Sequence, residues 1–240
     1  MQEYFAKKKI NDEFILSDQD YFHIEKVLRM KQGNHIVVVY ENEKYDCIVS
    51  FSNGVKVNKI AKLDVDNELS TKITLVYGLP KKDKFELVIQ KSCELGVNRI
   101  IPFMAKRSIP VIDDKNVNKK LERWNMIAKE ACEQSKRNCL VDVCNPINLN
   151  EILNYKSELN LIAYEDLSSN GTEKLFNLLS SGYKSITVVV GPEGGFDASE
   201  VEFLNDNDFV SVSLGKRILR SETAPMYILS IIGFMDERNK

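Results

Sequence analysis

Two loops near the end of the chain carry the residue types that could bind an anion or a nucleoside. The first, GPEGGF at 191–196, combines a fixed proline φ with three glycines that let a ligand approach the backbone closely. The second runs from Gly215 to Pro225 and places three cations beside Glu222: Lys216, Arg217 and Arg220. Because the start of a helix attracts anions, a loop of this kind in front of Thr223 indicates an anion-binding site.

A strand-like run precedes each of these loops. Residues 186–190 contain no charge and are typical of a strand buried on both faces, and residues 209–214 form the second run. Parallel sheets bind ligands beyond the carboxyl ends of their strands. We therefore expect the two loops to lie side by side at one edge of a sheet and to form one cleft.

Several chemistries are disfavoured at this cleft. Its pattern is neither G-x-x-x-x-G-K-[ST] nor G-x-G-x-x-G, which disfavours a nucleoside triphosphate loop and a dinucleotide site. No histidine follows His35, so a Ser or Cys nucleophile would lack its usual base. Proton transfer there must use a carboxylate, Lys, Tyr, Cys, the backbone or water. The alternative is that the two loops form no binding site, the second being a solvated basic loop and the first an ordinary glycine turn.

Strands and helices alternate from residue 72 onward, which predicts a parallel α/β sheet. Strands are predicted over residues 73–77, 99–103, 159–164, 186–190 and 209–214, and helices over residues 83–95, 116–137, 172–181 and 199–205. The sequence D-A-S-E at 197–200 is a capping-box variant and predicts the start of the last of these helices.

The first 66 or so residues predict a small β-rich unit instead. Strand-like runs cover residues 35–40, 45–51 and 55–63, and Asn53-Gly54 predicts a hairpin between the last two. Ser17 is placed to cap a short helix. The polar, acidic stretch 64–71 predicts the boundary between this unit and the α/β part.

Two helices carry surfaces that need an explanation. In the long helix an apolar stripe faces inward and predicts that the cations, Arg123 and Arg137 among them, lie on the surface, where they either pair with neighbouring glutamates or contact RNA. The apolar stripe consists of Val117, Leu121, Trp124, Ala128 and Ala131. Residues 226–235 are apolar nearly all the way round, which predicts a central helix or one shared with a second subunit.

The composition is that of a globular protein without a strong overall electrostatic field. The 33 Lys and Arg residues are balanced by 35 Asp and Glu, so the formal net charge is −2 and any RNA contact must use local patches. No apolar run is long enough to cross a membrane and no signal peptide precedes MQEYFAKKKI, so we expect a cytoplasmic protein without a membrane partner. Five cysteines without a C-x-x-C pair and two histidines offer no metal site.

Motifs along nearly the whole chain resemble those of one family. Besides GPEGGF and SLGKRILRSETAP at 213–225, they are Gly78-Leu79-Pro80-Lys81 with Lys84, LVIQKSCELGV at 87–97, Arg107-Ser108, Glu122-Arg123-Trp124 and AKEACEQSKR at 128–137. These motifs resemble the RsmE family, the 16S ribosomal RNA uridine N3-methyltransferases of the SPOUT class. A weaker match near the start of the chain includes His23, Arg29 and Gly33.

This resemblance implies a fold and partners that periodicity alone does not reveal. It implies an α/β protein with an N-terminal PUA-like β-barrel domain for RNA binding over residues 1–68. A SPOUT methyltransferase domain over residues 72–240 would contain the parallel sheet and a C-terminal trefoil knot, an exception to the rule against threaded chains. Family members are homodimers, and the apolar last helix would form the interface. The RNA partner would be 16S ribosomal RNA, within the small ribosomal subunit.

The resemblance also implies a cofactor and residue roles. S-adenosylmethionine would be bound by Glu165, Gly191, Pro192, Glu193, Gly194, Leu214, Gly215, Ile218, Leu219 and Arg220. Arg220 would stabilise the charge that develops on the uracil oxygens, and Glu222 or Glu193 would accept the N3 proton. RNA would be contacted by Arg29, Lys81, Lys84, Arg107, Arg123 and Arg137. For Glu222 itself, a structural role as an arginine partner or a helix-start carboxylate is favoured over that of general base.

Two other functions stay open at this point. The chain would be a related SPOUT enzyme if the methyl group went to a ribose 2′-hydroxyl or to another base. It would be a non-catalytic ribosome-binding module if its cleft did not bind S-adenosylmethionine.

Overall fold

The computed structural model of the 240-residue chain describes residues 1–52, 54–81, 84–108, 114–164 and 171–238. Asn53, predicted in the hairpin turn, and Glu165, predicted at the cofactor site, lie outside these ranges. The chain divides into two compact units. Unit 1 comprises Met1–Glu68 and Lys129–Leu140, and unit 2 comprises Leu69–Ala128 and Val141–Lys240.

Unit 1 contains a six-stranded, mostly antiparallel sheet. Its strands are β1 (Glu3–Phe5), β2 (Lys8–Ile10), β3 (Glu13–Ile15), β4 (His35–Tyr40), β5 (Glu43–Ser50) and β6 (Lys56–Leu63). They lie in the order β1-β4-β5-β6-β3-β2, with β1 parallel to β4. The predicted pairing of β5 with β6 is confirmed, and buried side chains such as Phe14, Ile36 and Val57 form the core.

The predicted cap at Ser17 is confirmed in unit 1. Ser17 and Asp20 form a capping box at the start of α1 (Asp18–Phe22), which continues into a π-helical turn over His23–Val27. Asp20 is only 4% exposed, and its carboxylate is neutralised by an ion pair with Lys129. A buried carboxylate needs a partner of opposite charge. The Asp20 side chain therefore both caps α1 and links the start of this helix to Lys129.

Unit 2 contains the predicted parallel sheet. Its strands are β7 (Lys72–Gly78), β8 (Arg99–Phe103), β9 (Asp142–Val143), β10 (Leu159–Ala163), β11 (Ser185–Val190) and β12 (Val210–Val212). They lie in the order β12-β10-β11-β7-β8-β9, and every pair is parallel. The predicted strands are all present. The short β9 and a 3₁₀ helix at Leu149–Tyr155 were not predicted, because neither is long enough to show a hydrophobic period.

Five further α-helices lie in the described part of the chain. They are α2 (Lys84–Glu94), α3 (Asp114–Gln134), α4 (Gly171–Ser180), α5 (Ala198–Asp206) and α6 (Thr223–Arg238). The predicted capping box at Asp197 is confirmed: its carboxylate accepts from Ser199, and the Glu200 side chain, which is 1% exposed, accepts from the Asp197 amide. None of the described helices is both long enough and apolar enough to cross a membrane.

The surface position predicted for Arg137 is wrong. Its side chain is 3% exposed, and its guanidinium lies 2.6 Å from the Glu68 carboxylate. Burial by itself would raise the pKa of Glu68, but the hydrogen bonds and charge of Arg137 lower it below its usual value. The helical pattern misled the prediction because α3 ends at Gln134, and Lys136 then turns the chain with a φ of 61°. Arg137 therefore does not continue the exposed face of the helix.

Candidate functional site

The candidate site is built at the carboxyl edge of the unit 2 sheet. Tyr77, near the end of β7, pairs with Val190, the last residue of β11. Ala163, which ends β10, pairs with both Val190 and Val212. Since all these strands are parallel, the chain leaves each of them at the same edge. The predicted shared edge is confirmed, although β10 lies between β11 and β12.

The loops after β7 and β11 approach each other closely. A Cβ atom on Gly78 would lie 2.4 Å from Pro192 Cδ and 2.6 Å from Pro192 N. Only glycine allows the backbone of β7 to pass Pro192 at this distance. The sequence motifs included both Gly78 and the GPEGGF loop but did not show that the two loops touch.

Contacts with Phe196 and Arg107 hold the GPEGGF loop in a fixed shape. Phe196 is 5% exposed, and its ring lies under Gly191. Arg107, in the loop after β8, donates to the Gly194 carbonyl at 3.3 Å and lies 3.5 Å from the Asp197 carboxylate. The amide of the preceding Lys106 donates to the Glu200 carboxylate at 2.8 Å. Arg107, predicted to bind RNA, thus already contacts the loop, with its side chain 52% exposed.

Lys84 joins the two loops that the sequence singled out. Its Nζ lies 3.2 Å from Glu193 Oε1, in the loop after β11, and 3.3 Å from Glu222 Oε2, at the start of α6. Glu193 also accepts from the Lys81 amide at 3.1 Å, and Glu222 accepts from the Ser221 hydroxyl at 3.2 Å. One cation is therefore shared by two carboxylates from different loops.

Lys84, Glu193 and Glu222 form the Lys84 cluster, in which the pKa values of Lys84 and Glu222 are shifted. Hydrogen bonds to Glu193 and Glu222 raise the pKa of Lys84. The pKa of Glu222 is lowered, first by a hydrogen bond from its own backbone amide and then by Lys84 and Ser221, against the opposing effect of burial. Both groups are therefore held in their charged forms. Glu222 is an ionised helix-start carboxylate whose partner is a lysine.

A pocket with a mixed polar and apolar lining lies at the same edge beside β12. It encloses about 90 Å³ and is formed by the end of β10, the loop after β12 and the start of α6. The lining residues are Ala163, Tyr164, Ser213, Leu214, Gly215, Arg217, Ile218, Leu219 and Ala224. Gly215 has a φ of 118°, which favours glycine, and its amide and carbonyl both contact the Ser213 hydroxyl. The pocket combines apolar side chains with backbone polar groups, as sites for flat heterocycles do.

Ile218 shows that the pocket is open on one side. Its side chain is 82% exposed, although it belongs to the lining. A volume near 90 Å³ is smaller than the roughly 300 Å³ or more of pockets that bury a drug-sized ligand. A nucleoside cofactor would therefore rest its ring here and extend beyond the pocket, with Ile218 free to cover it.

The structure brings together some of the predicted cofactor residues and separates others. Leu214, Gly215, Ile218 and Leu219 line the pocket as a group. The predicted residues of the GPEGGF loop do not belong to that lining; they meet the second loop through Lys84 instead. Gly191 and Pro192 are buried, whereas Gly194 is exposed. Ala163, Tyr164, Ser213, Arg217 and Ala224 line the pocket without having been predicted to bind the cofactor.

Arg220 is exposed, and its backbone carbonyl accepts from the amides of Thr223 and Ala224 at the start of α6. Within the described ranges, its guanidinium has no ion-pair partner. The group is therefore available to a ligand at this edge. Arg220 and Glu222 flank Ser221, so both proposed catalytic side chains come from one short turn.

The remaining predicted cations differ in their surroundings. Lys81 is exposed, and Arg123 is exposed and paired with Glu86 at 2.5 Å. In unit 1, Arg29 is exposed in a turn with a φ of 50°. Arg137 is buried, as described above. Lys81 and Arg29 are exposed to a polyanion, and Arg123 would contact one beside its exposed ion pair with Glu86, since such pairs are weak.

A larger cavity of about 200 Å³ lies at the opposite, amino edge of the unit 2 sheet. Its lining residues are Ser70, Thr71, Leu179, Gly182, Tyr183, Ile186, Ile232, Met235 and Asp236. That lining contains no cation, and ligands of parallel sheets bind at the other edge. The smaller pocket beside the Lys84 cluster is therefore the better candidate.

The chain as a whole is similar to known proteins. Residues 67–233 match the sequence model of the RNA methyltransferase domain. The chain is 38% identical to the ribosomal RNA small subunit methyltransferase E of Bacillus subtilis, over 99% of this chain and 98% of that one. It is 35% identical to the protein of the same name from Mesomycoplasma hyopneumoniae, over 96% and 98%. A crystal structure of the Neisseria gonorrhoeae enzyme of that name, bound to S-adenosyl methionine, superposes with a TM-score of 0.81 at 26% identity and covers 96% of both chains.

Proposed function

The chain belongs to the family of ribosomal RNA small subunit methyltransferases E, and from that premise we propose that it transfers the methyl group of S-adenosylmethionine to N3 of a uridine in 16S ribosomal RNA. The observation that carries the proposal is that the Lys84 cluster, Arg220 and the pocket beside β12 all lie at one edge of the sheet. A homologous structure with S-adenosyl methionine bound supports this choice of cofactor.

The pocket fits the cofactor in its chemistry. Leu214, Ile218 and Leu219 would hold the adenine ring between apolar side chains, and the backbone at Gly215 would contact its polar edge. Glu193, with Gly191, Pro192 and Gly194, would bind the part that extends toward the GPEGGF loop. Glu165 and Arg220 complete the proposed set. When bound, S-adenosylmethionine supplies an electrophilic methyl group on a sulfonium.

The residues of the second loop would handle the substrate charge. Methylation at N3 requires loss of the imide proton, and negative charge spreads to the uracil oxygens until N3 is methylated. Arg220, which is exposed and unpaired with the described carboxylates, would stabilise that charge. Glu222 would accept the proton, or Glu193 would. Because the pKa of Glu222 is lowered, it accepts this proton effectively only while a cation stabilises the uracil anion.

Replacing Lys84 with methionine is expected to weaken cofactor binding about tenfold and to slow methyl transfer further, because the loops of Glu193 and Glu222 lose their shared cation. Lys84 is one of the groups that lower the pKa of Glu222, so the acidic limb of the rate profile should move to higher pH in the variant. Calorimetry and a pH series of rates measure the two effects.

Lys91→Met is the matched control for this test. Lys91 belongs to the same helix and pairs with Glu94 at 2.8 Å, away from the loops. It should keep wild-type affinity and pH dependence. A Lys84→Met variant that matched this control in both measurements would contradict the role given to the ion pairs of Lys84 with Glu193 and Glu222.

Unit 1 and the exposed cations complete the proposal. We place RNA contacts at Arg29, Lys81, Lys84, Arg107 and Arg123, and leave out Arg137 because Glu68 holds its buried guanidinium. Residues 1–68 would form the PUA-like RNA-binding domain and residues 72–240 the SPOUT domain with its trefoil knot. The apolar α6, with Phe234 65% exposed, would form the interface of a homodimer. A ribosomal substrate would place the protein in the cytoplasm.

Titration calorimetry with S-adenosylmethionine, followed by label transfer from it to small subunits that lack the modification, tests the proposal. Micromolar binding and one methyl group transferred per subunit are expected. Absence of binding would favour a ribosome-binding module without catalysis. Parallel assays with free 16S RNA show whether the assembled subunit is needed.

A further inference from the structure

Tyr77 places a hydroxyl group beneath the candidate site. It is fully buried near the end of β7, paired with Val190 of β11 and Pro102 of β8. Its ring stacks on Phe85 with the centroids 5.9 Å apart and an angle of 3° between the planes, and Phe85 meets Trp124 edge-on. Stacking on Phe85 and full burial therefore hold the ring, so the hydroxyl has a defined direction.

The hydroxyl of Tyr77 has no hydrogen-bond partner among the described residues. A buried polar group without a partner destabilises a folded chain, and phenylalanine would fill the same space without that penalty. Packing thus explains the ring but not the hydroxyl. Such an exception calls for a functional explanation when the group lies at a site.

The surroundings of the hydroxyl are those of the Lys84 cluster. Burial raises the pKa of Tyr77 most, and the charges of Glu222 and Glu193 raise it further, while the nearby Ser221 side chain lowers it. The phenol therefore keeps its proton, and toward a carboxylate it can only donate. Ser221 in turn donates to Glu222 Oε2 at 3.2 Å, which leaves its oxygen able to accept.

We propose that Tyr77 is a positioning residue for the methyl-transfer reaction, whose hydroxyl donates to Ser221 when substrate and cofactor are bound and so completes a Tyr77–Ser221–Glu222 chain of hydrogen bonds. This chain fixes the Glu222 carboxylate against the uracil imide. The inference rests on the proposed function, since Glu222 needs an orientation only if it accepts a proton from the substrate. Tyr77 itself touches neither substrate nor cofactor.

Tyr77→Phe tests this role, because the change removes the hydroxyl and keeps the stacked ring. We expect kcat to fall about tenfold, as for loss of one hydrogen bond that orients a reacting group, with KM for RNA and the Kd of S-adenosylmethionine within twofold of wild type. The melting temperature should equal or exceed that of wild type. Ser221→Ala should lower kcat by a similar factor, and the double variant should lose little more, because both changes break one chain.

Ser92 supplies the matched control. It carries another buried hydroxyl of unit 2 without a described partner, in α2. Ser92→Ala should be as stable as wild type and keep its kcat. A loss of activity in Ser92→Ala equal to that in Tyr77→Phe would contradict the inference, because it would show that unpaired hydroxyls matter wherever they lie.

The outcomes separate this inference from the function on which it rests. Wild-type protein that transfers no methyl group to any RNA would overturn the proposed function and this role with it. Active wild type with an equally active Tyr77→Phe would overturn the role of Tyr77 alone. A drop of several degrees in the melting temperature of Tyr77→Phe would also overturn it, since the hydroxyl would then already have a structural partner.

Discussion

Replacing Gly78 with alanine should abolish cofactor binding and methyl transfer and lower the melting temperature by about 6–12 °C. The added Cβ would lie 2.4 Å from Pro192 Cδ and 2.6 Å from Pro192 N, so either β7 or the GPEGGF loop must move. Overpacking against backbone atoms costs about 3 kcal/mol or more, because no flexible side chain can give way. Differential scanning calorimetry and titration with S-adenosylmethionine measure both effects.

Gly233→Ala provides the control for the alanine substitution at Gly78. Gly233 lies inside α6, and its nearest neighbour to an added Cβ is Leu69 at 3.9 Å, an ordinary contact. Alanine there should stabilise the helix by about 0.5–1 kcal/mol and leave cofactor affinity unchanged. A Gly78→Ala protein as stable and as tightly binding as Gly233→Ala would show that the two loops do not depend on their close approach.

Replacing Arg220 with alanine should reduce methyl transfer by about 100-fold to 1,000-fold, the usual loss when a group that stabilises transition-state charge is removed. The affinity for S-adenosylmethionine should stay measurable, because the pocket is lined by other residues. Single-turnover rates with small ribosomal subunits and calorimetry separate the two quantities. Arg220→Lys should restore part of the rate, since a lysine keeps the charge but not the planar donor pair.

Arg99→Ala is the matched control for Arg220. Arg99 is exposed at the start of β8, at the amino edge of the sheet, with Asp142 3.9 Å away. Its replacement should leave the rate unchanged. Near-normal turnover of Arg220→Ala would exclude the arginine from the chemistry and move the search for the stabilising cation to Lys84 or Arg217.

The unit 2 sheet was predictable because strands and helices alternate along its sequence. Runs such as residues 186–190 are uncharged, and each is followed by a helix, so both the strands and their parallel pairing follow from periodicity. The capping boxes at Ser17 and Asp197 were equally readable, since each uses a side chain three residues from its partner. Local signals of this kind survive in the fold because tertiary contacts do not oppose them.

The contacts that make the site were not predictable in the same way. Lys84 meets Glu193 and Glu222 across more than 100 residues of chain, and no pattern in one sequence connects residues at that separation. The same holds for Gly78 and Pro192, whose approach depends on two neighbouring strands. Arg137 was misplaced because a helical period cannot show that the helix ends three residues earlier, at Gln134, or that the guanidinium pairs with Glu68.

The measurement that tests the central claim most directly is nucleoside analysis of 16S RNA after incubation of unmodified small subunits with the protein and methyl-labelled S-adenosylmethionine. The account predicts that the label appears in 3-methyluridine at a single position and that Arg220→Ala leaves that position unlabelled. Label on a ribose 2′-hydroxyl or on another base would contradict the assignment of N3, and unlabelled RNA would contradict methyl transfer itself.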